Sequence, residues 1–136
     1  MRASLADRNA RGSRRAAGEK DTMDAEPEGF LPLRHLTFYI LVALAEEPRY
    51  GYDIAREIEE RSHGGIQPSI GSLYLAIQRL EEQGLIEESS ERPEAASDDA
   101  RRRYYLATEL GRRVAAAEAE RLAGLLDMAR DRNLLR

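Results

Sequence analysis

The stretch Pro68-Ser69-Ile70-Gly71-Ser72-Leu73-Tyr74-Leu75-Ala76-Ile77-Gln78-Arg79-Leu80 decides how the rest of the chain is interpreted. Its apolar residues recur at the spacing of one helix face, which predicts a short amphipathic helix. Small residues in the first turn would let a phosphate backbone approach the amides at the positive helix end. The same pattern also fits an ordinary packed helix, so the flanking segments must decide. The predicted inward face consists of Ile70, Leu73, Ile77 and Leu80, and Ser69 is the predicted N-cap.

Composition limits the classes of protein that fit this chain. It has 136 residues, 42% of them hydrophobic, and no cysteine, which indicates one domain with accessory segments and neither a disulfide nor a thiolate metal site. The net charge of −4 disfavours a protein that coats nucleic acid indiscriminately. Five Arg oppose ten Asp and Glu between Arg34 and Glu88, whereas six Arg oppose five acids between Ser89 and Arg113. Any DNA contact must therefore be local.

The first 29 residues show no apolar period and are predicted to be a disordered tail. A basic part is followed by an acidic part. The basic part fits an arm lying on DNA, a solvated tail, or an over-extended start that precedes Met23 as the true first residue. Neither a secretory signal nor an apolar stretch long enough to span a bilayer is present, so we expect a cytoplasmic protein without a membrane partner.

Two helices are predicted before the opening stretch. The first runs from Leu33 or Arg34 to Glu46 and is apolar nearly all round, a pattern typical of a helix buried on more than one side. A second copy of the chain would cover the extra face, although the chain's own C-terminal helix is an alternative cover. The second helix begins near Tyr50 and ends at the glycine pair after His63. A short link then leads to the opening stretch, as in a helix-turn-helix.

A hairpin is predicted after Gly84, with strands at 85–88 and 103–107 and a long polar loop between them. Three helices followed by such a hairpin form a winged helix-turn-helix, and the loop is the wing. Three arginines lie where the returning strand leaves the wing, and their guanidinium groups suit phosphate or minor-groove contact. A run of arginines also fits a solvated face paired with nearby acids. These residues are Arg101, Arg102 and Arg103.

A final helix is predicted from its N-cap Thr108 to about Arg130, with an apolar stripe and several small alanines. This stripe matches the unpaired face of the first helix, which predicts a dimer. The predicted dimerisation residues are Phe38, Leu41, Val42, Leu122, Leu125 and Leu126. The fold class is thus mainly α with a small β-hairpin, divided into a tail (1–29), a winged helix-turn-helix domain (30–107) and a C-terminal dimerisation helix (108–136).

Several short motifs follow one another at spacings that fit this fold. They are Tyr50-Gly51-Tyr52-Asp53-Ile54, Gly71-Ser72-Leu73-Tyr74, Arg79-Leu80-Glu81, Gly84-Leu85-Ile86, and Arg102-Arg103-Tyr104-Tyr105 with Thr108 and Gly111. In these motifs the chain resembles the PadR family of transcriptional regulators, from about Leu33 to Arg130. The resemblance is to the short members with a single C-terminal helix, and it implies a homodimeric repressor that a small-molecule effector releases from a double-stranded DNA operator.

The predicted DNA-reading residues lie at the start of the third helix. Leu75 departs from the family pattern, in which Arg, Lys or Pro is common there; a leucine fits contact with a thymine methyl group or weakened DNA binding. The alternative function is a winged-helix protein-interaction module that has lost sequence-specific DNA binding. An enzyme is disfavoured, since only two histidines are present and no phosphate loop or metal-spaced cluster occurs, so no catalytic residue, metal or cofactor is predicted. The predicted DNA contacts besides the wing arginines are Ser69, Ser72, Tyr74 and Leu75.

Overall fold

The computed structural model describes residues 25–92 and 102–136. Within these ranges the chain forms one 3-10 helix, four α-helices and three short strands. None of the helices in the described ranges is both long and apolar enough to cross a bilayer. In chain order the elements are the 3-10 helix Pro27–Phe30, α1 His35–Ala43, β1 Arg49–Tyr50, α2 Gly51–Arg61, α3 Ile70–Glu82, β2 Ile86–Ser89, β3 Tyr104–Ala107 and α4 Glu109–Asp131.

The three strands form one antiparallel sheet in the order β1-β3-β2. The hairpin of β2 and β3 pairs Ile86 with Ala107 and Ser89 with Tyr104. On the other side of β3, Tyr50 of β1 pairs with the same Tyr104. The sequence pattern did not predict β1, because two residues are too few to show a period. This short strand ties the helix-turn-helix to the wing.

The core lies between α1, α2, α3, the inner face of the sheet and the first half of α4. Because α1 is apolar nearly all round and the other helices are apolar on one face, the helices bury these apolar faces against one another. The arrangement confirms the predicted fold class, a winged helix-turn-helix followed by a long C-terminal helix. The most deeply buried side chains include Ile40, Leu41, Leu44, Ile54, Ile58, Leu73, Ile77, Leu80, Leu85 and Val114.

Capping groups fix where the helices begin and end. The Ser69 hydroxyl accepts a hydrogen bond from the Ser72 amide at 3.1 Å, which confirms Ser69 as the N-cap of α3. At the end of α2 the left-handed conformation falls on His63 (φ 54°) and Gly64 (φ 80°), one residue earlier than the predicted glycine pair. Gly84 (φ 78°) follows α3 in the same conformation, which glycine adopts without steric cost.

Thr108 joins α4 to the turn that follows α3. Its hydroxyl accepts from the Gly111 amide at 3.0 Å and donates to the Gly84 carbonyl at 2.7 Å. Its own amide donates to the Leu85 carbonyl at 3.0 Å. Gly111 lies so close to this turn that a Cβ atom there would overlap the Leu85 carbonyl oxygen. The start of α4 is therefore held against the turn after α3 by two hydrogen bonds and a contact that only glycine permits.

A buried carboxylate joins α4 to the start of α1. Glu118 is only 2% exposed and accepts from both Arg121 nitrogens that face it, at 2.8 and 2.7 Å. These bonds hold the pKa of Glu118 below its ordinary value, and a backbone hydrogen bond from Leu33 acts in the same direction. Because a buried charge without partners would be costly, this pairing makes the burial of Glu118 possible.

Three sequence expectations need correction. Residues 27–29 were expected to belong to a disordered tail, but they form most of the 3-10 helix, with Pro27 buried; residues 1–24 lie outside the described residues. α1 ends at Ala43 rather than at Glu46, and the Arg49 side chain donates a hydrogen bond of 2.9 Å to the Ala43 carbonyl. Ile70 was assigned to the core, yet it is 38% exposed because it opens α3 before the helix reaches the core.

Candidate nucleic-acid interface

The first two turns of α3 present one small, exposed surface. Leu73 on the inner side is fully buried, whereas Ser69 and Ser72 on the outer side are exposed. Tyr74 is 40% exposed and Leu75 is 50% exposed. The four predicted DNA-reading residues at the start of α3 are therefore all accessible to a partner.

Tyr74 connects this surface to the start of α2. Its phenol lies against Gly51, and a Cβ atom added at Gly51 would overlap the Tyr74 hydroxyl and lie 2.5 Å from its Cζ atom. The ring therefore bridges the two helices while its outer side remains in solvent. Tyr74 therefore packs within the fold and also remains accessible to a partner.

Leu75 lies in a groove between α3 and the segment that precedes α1. The groove has a volume of about 700 Å³ and is lined on its far side by Phe30 and Leu36. Arg79, one turn further along α3, lines the same groove and is exposed. The environment of Leu75 is thus mixed, because Arg34 and Glu82 also line the groove beside the apolar side chains.

The structure separates the run of three arginines. Arg102 lies over the ring of Tyr50, with its Cζ atom 4.2 Å from the ring centroid. Arg103 is exposed and forms a hydrogen bond with the side chain of Tyr105, whose pKa is raised by burial. Because neighbouring strand residues point to opposite faces, these two arginines serve opposite sides of the sheet. Arg101 lies outside the described residues.

The same region contains one further arginine, which the sequence pattern did not predict as a contact residue. Arg92 follows β2 and places its Cζ atom 4.7 Å from the ring centroid of Tyr104. Its Nη2 donates to the Arg102 carbonyl at 2.9 Å. The rings of Tyr104 and Tyr50 are 5.5 Å apart at an angle of 55°. The only sequence signal for Arg92 was its place at the start of the wing.

Ion pairs on α2 account for part of the local acidic excess. Arg49 contacts Asp53 at 3.2 Å and Glu57 at 3.7 Å. Arg61 donates to Glu57 at 2.9 Å, and this bond holds the pKa of Glu57 below its ordinary value. Arg56 also contacts Asp53, at 2.8 Å. Carboxylates that are already paired with arginines repel a phosphate backbone less than the formal charge suggests.

The predicted dimerisation residues fall into two groups. Leu125 and Leu126 on α4 are 49% and 46% exposed, and Val42 on α1 is 52% exposed. Phe38 and Leu122 are half-buried and line a groove with Val42. Leu41, in contrast, lies in the chain's own core at 1% exposure, so it is not available to a partner and its assignment to the dimer face is corrected. Further exposed apolar side chains continue the stripe towards the C-terminus, namely Met128, Leu134 and Leu135.

A family model for PadR-like transcriptional regulators matches residues 40–117, more than half of the chain. The chain belongs to this family. An uncharacterised protein from Lysinibacillus sphaericus is 38% identical to it over 78 residues, which are 57% of this chain and 69% of that protein. PadR-like proteins are transcriptional regulators, so the enzyme alternative is excluded. No group of three or more His, Asp or Glu suited to a metal ion occurs within residues 25–92 and 102–136.

Solved structures of other regulators share the fold. A transcriptional regulator from Clostridium thermocellum is 25% identical with a TM-score of 0.59, over 71% of this chain and 88% of that one. A PadR family regulator from Clostridium difficile is 23% identical with a TM-score of 0.60, over 72% and 97% of the two chains. Bacillus subtilis PadR, solved in complex with operator DNA, is 20% identical with a TM-score of 0.50, over 62% and 47%.

Proposed function

We propose that this PadR-like regulator is a homodimeric repressor that reads an operator with α3 and leaves it when a small molecule binds. The observation that carries the proposal is the accessible side of α3. The opposite side of the helix is buried through Leu73, Ile77 and Leu80, so only the outer side can enter a major groove. A DNA partner also implies a cytoplasmic location for the protein.

The residues at the start of α3 would make different kinds of contact with the DNA. Ser69 and Ser72 are short and exposed at the helix start, where they allow the backbone to approach the bases and phosphates closely. Leu75 offers an apolar surface that suits a thymine methyl group. Tyr74, held against Gly51, directs its hydroxyl to a phosphate beside the groove. The wing arginines 101–103 would add phosphate contacts that carry no sequence information.

The dimer would form through α4 and the exposed part of α1. The half-exposed Leu125 and Leu126, together with Val42, give each chain an apolar surface that a second copy of the same surface would cover. Paired copies would present two α3 helices to one duplex, and a symmetric operator would match them. Repression follows if the occupied operator overlaps a promoter.

The groove between α1, α2 and α4 is the proposed effector site. Its volume of about 600 Å³ is within the usual range for small-molecule sites. Phe38, Val42 and Leu122 supply apolar walls, and Arg49 and Glu57 supply polar groups. Because these walls come from both α1 and α4, a ligand there would change how α4 meets its partner.

A gel-shift titration against the DNA upstream of the coding region, at several salt concentrations, tests the function. We expect binding that weakens as salt rises. Leu75→Arg should strengthen binding to unrelated DNA, because it adds one cation to the side of α3 that would face the major groove of DNA. The log–log slope of affinity against salt concentration should become steeper by about 0.9. Ala116→Arg, which adds the same charge on an exposed position of α4, is the matched control and should leave the slope unchanged.

The outcome also separates DNA binding from the protein-interaction alternative. A wild-type protein that binds neither the upstream DNA nor unrelated DNA at low salt would contradict the proposal. In that case the half-exposed Leu75 and the groove in which it lies would favour a protein partner.

A further inference from the structure

The groove beside Leu75 is large enough for a small molecule and is not the effector groove proposed above. It has a volume of about 700 Å³ and lies between α3 and the chain around the start of α1. This volume is within the range of known ligand sites. Leu75 and Ala76 line it on α3, and Phe30, Leu33 and Leu36 line it on the other side. We call the space between these five residues the α3 groove.

The apolar walls of the α3 groove are held in place by the core beneath them. Phe30, Leu33 and Leu36 are partly buried and pack against the core, and Leu80 in the lining is only 1% exposed. The backbone of Leu33 is also hydrogen-bonded to the buried carboxylate of Glu118 on α4. Because the walls are formed before a ligand arrives, binding there requires little ordering of the chain.

Two guanidinium groups line the same groove and are available to an anion. The side chains of Arg34 and Arg79 are exposed, and neither forms an ion pair or a hydrogen bond within the part of the chain that the structure describes. Arg34 is the N-cap residue of α1, but its side chain makes no capping bond. Glu82 also lines the groove, so two cations and one carboxylate leave a net charge of +1.

An apolar surface beside unpaired arginines suits a ligand with two chemically different ends. A planar guanidinium matches a carboxylate through two parallel hydrogen bonds. Among the described residues that line the groove, only Phe30 is aromatic, so the apolar part of the surface is mainly aliphatic. An alkyl chain can follow such a surface and lose contact with water along its length.

We propose that the α3 groove binds an amphipathic carboxylate, with a medium-chain fatty acid as the ligand class. The carboxylate binds Arg34 and Arg79, and the alkyl chain lies against the apolar walls. Ser72 and Leu75 line the groove and are also the side chains proposed to contact DNA, so the ligand and the operator compete for one surface. This competition rests on the proposed DNA binding, whereas the ligand site itself does not.

Isothermal titration calorimetry of the full chain with sodium decanoate tests the site. We expect saturable binding of one decanoate per chain. Arg34→Gln and Arg79→Gln should each weaken it about threefold, and the double variant about tenfold, because exposed ion pairs are lost. Glu82→Gln should instead tighten binding about twofold, since it removes the repelling carboxylate. Arg132→Gln is the matched control, because Arg132 is exposed beyond the end of α4, and it should change nothing.

Two other ligands separate the contribution of the head group from that of the chain. Decanol keeps the alkyl chain without a charge and should bind about tenfold more weakly than decanoate. Octanoate keeps the carboxylate but is two methylenes shorter, and it should also bind about tenfold more weakly. The proposal is wrong if decanol binds as tightly as decanoate, if both arginine variants bind decanoate like the wild type, or if decanoate shows no saturable binding.

Fluorescence anisotropy with labelled DNA tests the competition, with the ionic strength matched by sodium chloride. Decanoate at about ten times its dissociation constant should lower DNA affinity about elevenfold, and the loss should keep growing with concentration. The same decanoate concentration should have a smaller effect on Arg34→Gln. A loss that reaches a plateau would contradict direct competition. If decanoate binding depends on the two arginines but the protein binds no DNA, the ligand site stands and the proposed function fails.

Discussion

The contact between Gly51 and Tyr74 allows a quantitative test of how the two helices of the helix-turn-helix are joined. In Gly51→Ala the new Cβ atom would lie 2.5 Å from the Tyr74 Cζ atom, far inside an ordinary carbon–carbon contact, and would overlap the hydroxyl. Alanine in a helix gains up to about 0.5–1 kcal/mol over glycine. The atoms that the new methyl group would meet belong to the far end of a half-exposed side chain, so the cost should lie at the low end of the about 1–3 kcal/mol that overpacking causes. After the alanine gain is subtracted, the variant should be less stable than the wild type by at most about 0.5 kcal/mol.

The way in which Tyr74 moves determines the functional effect. The ring is 40% exposed, so it can swing into solvent, whereas the backbone of α2 cannot shift as easily. The hydroxyl would then leave its place beside Gly51, and operator affinity should fall by an amount similar to that of Tyr74→Phe, about 0.5–1.5 kcal/mol for one hydrogen bond.

A double-mutant cycle in urea measures the contact directly. Gly51→Ala in a Tyr74→Ala background has no ring to displace and should be neutral or slightly stabilising, which gives a coupling energy of about 1 kcal/mol. Gly124→Ala, on α4 with open space around it, controls for the helix-propensity gain alone. A coupling energy near zero would refute the reasoning, because the two residues would then contribute independently.

Three further predictions follow from other parts of the molecule. Leu122→Glu combined with Leu126→Glu should give monomers by light scattering at micromolar concentration, and a persistent dimer would place the interface elsewhere. Glu118→Gln should lower the free energy of unfolding by about 1–3 kcal/mol at pH 7. Because the pKa of Glu118 is lowered in the folded chain, the stability difference between the wild type and the variant should be complete above pH 4.5 and shrink as the pH falls below it. A difference that is the same above and below pH 4.5 would contradict an ionised carboxylate. Gly111→Ala should cost more than 2 kcal/mol, since its Cβ meets a backbone carbonyl, whereas Gly124→Ala should not destabilise the chain.

The sequence predicted the elements with strong local signals. The four helices of the winged fold, the hairpin and the N-caps Ser69 and Thr108 follow from apolar period and capping chemistry, which act over a few residues. The ends of α1 and α2 were less predictable, because the Arg49 side chain and the left-handed His63 decide them. These effects depend on tertiary contacts or on single backbone angles that no period reveals.

The candidate interface was predictable only in part, for a similar reason. The accessible residues of α3 follow from helical spacing, but the separation of Arg102 from Arg103 depends on which residue begins the pairing of β3. Arg92 contacts the ring of Tyr104 in the structure. This contact could not be predicted, because a long loop separates the two residues in the sequence. Leu41 was misassigned because α1 is apolar on all sides, and periodicity cannot tell which side meets the chain's own core.

The joint at Thr108 gives α4 the mechanical character of a lever. With 23 residues the helix is about 34 Å long, and its base is fixed to the turn after α3 by hydrogen bonds of 2.7 and 3.0 Å. A tilt of about 5° at this base would move the far end by about 3 Å. In the proposed dimer the converse also holds: a small change where two such levers cross would alter the distance between the paired α3 helices. Half-sites on B-DNA repeat at about 34–36 Å, so a displacement of a few ångströms would move one α3 helix out of its major groove.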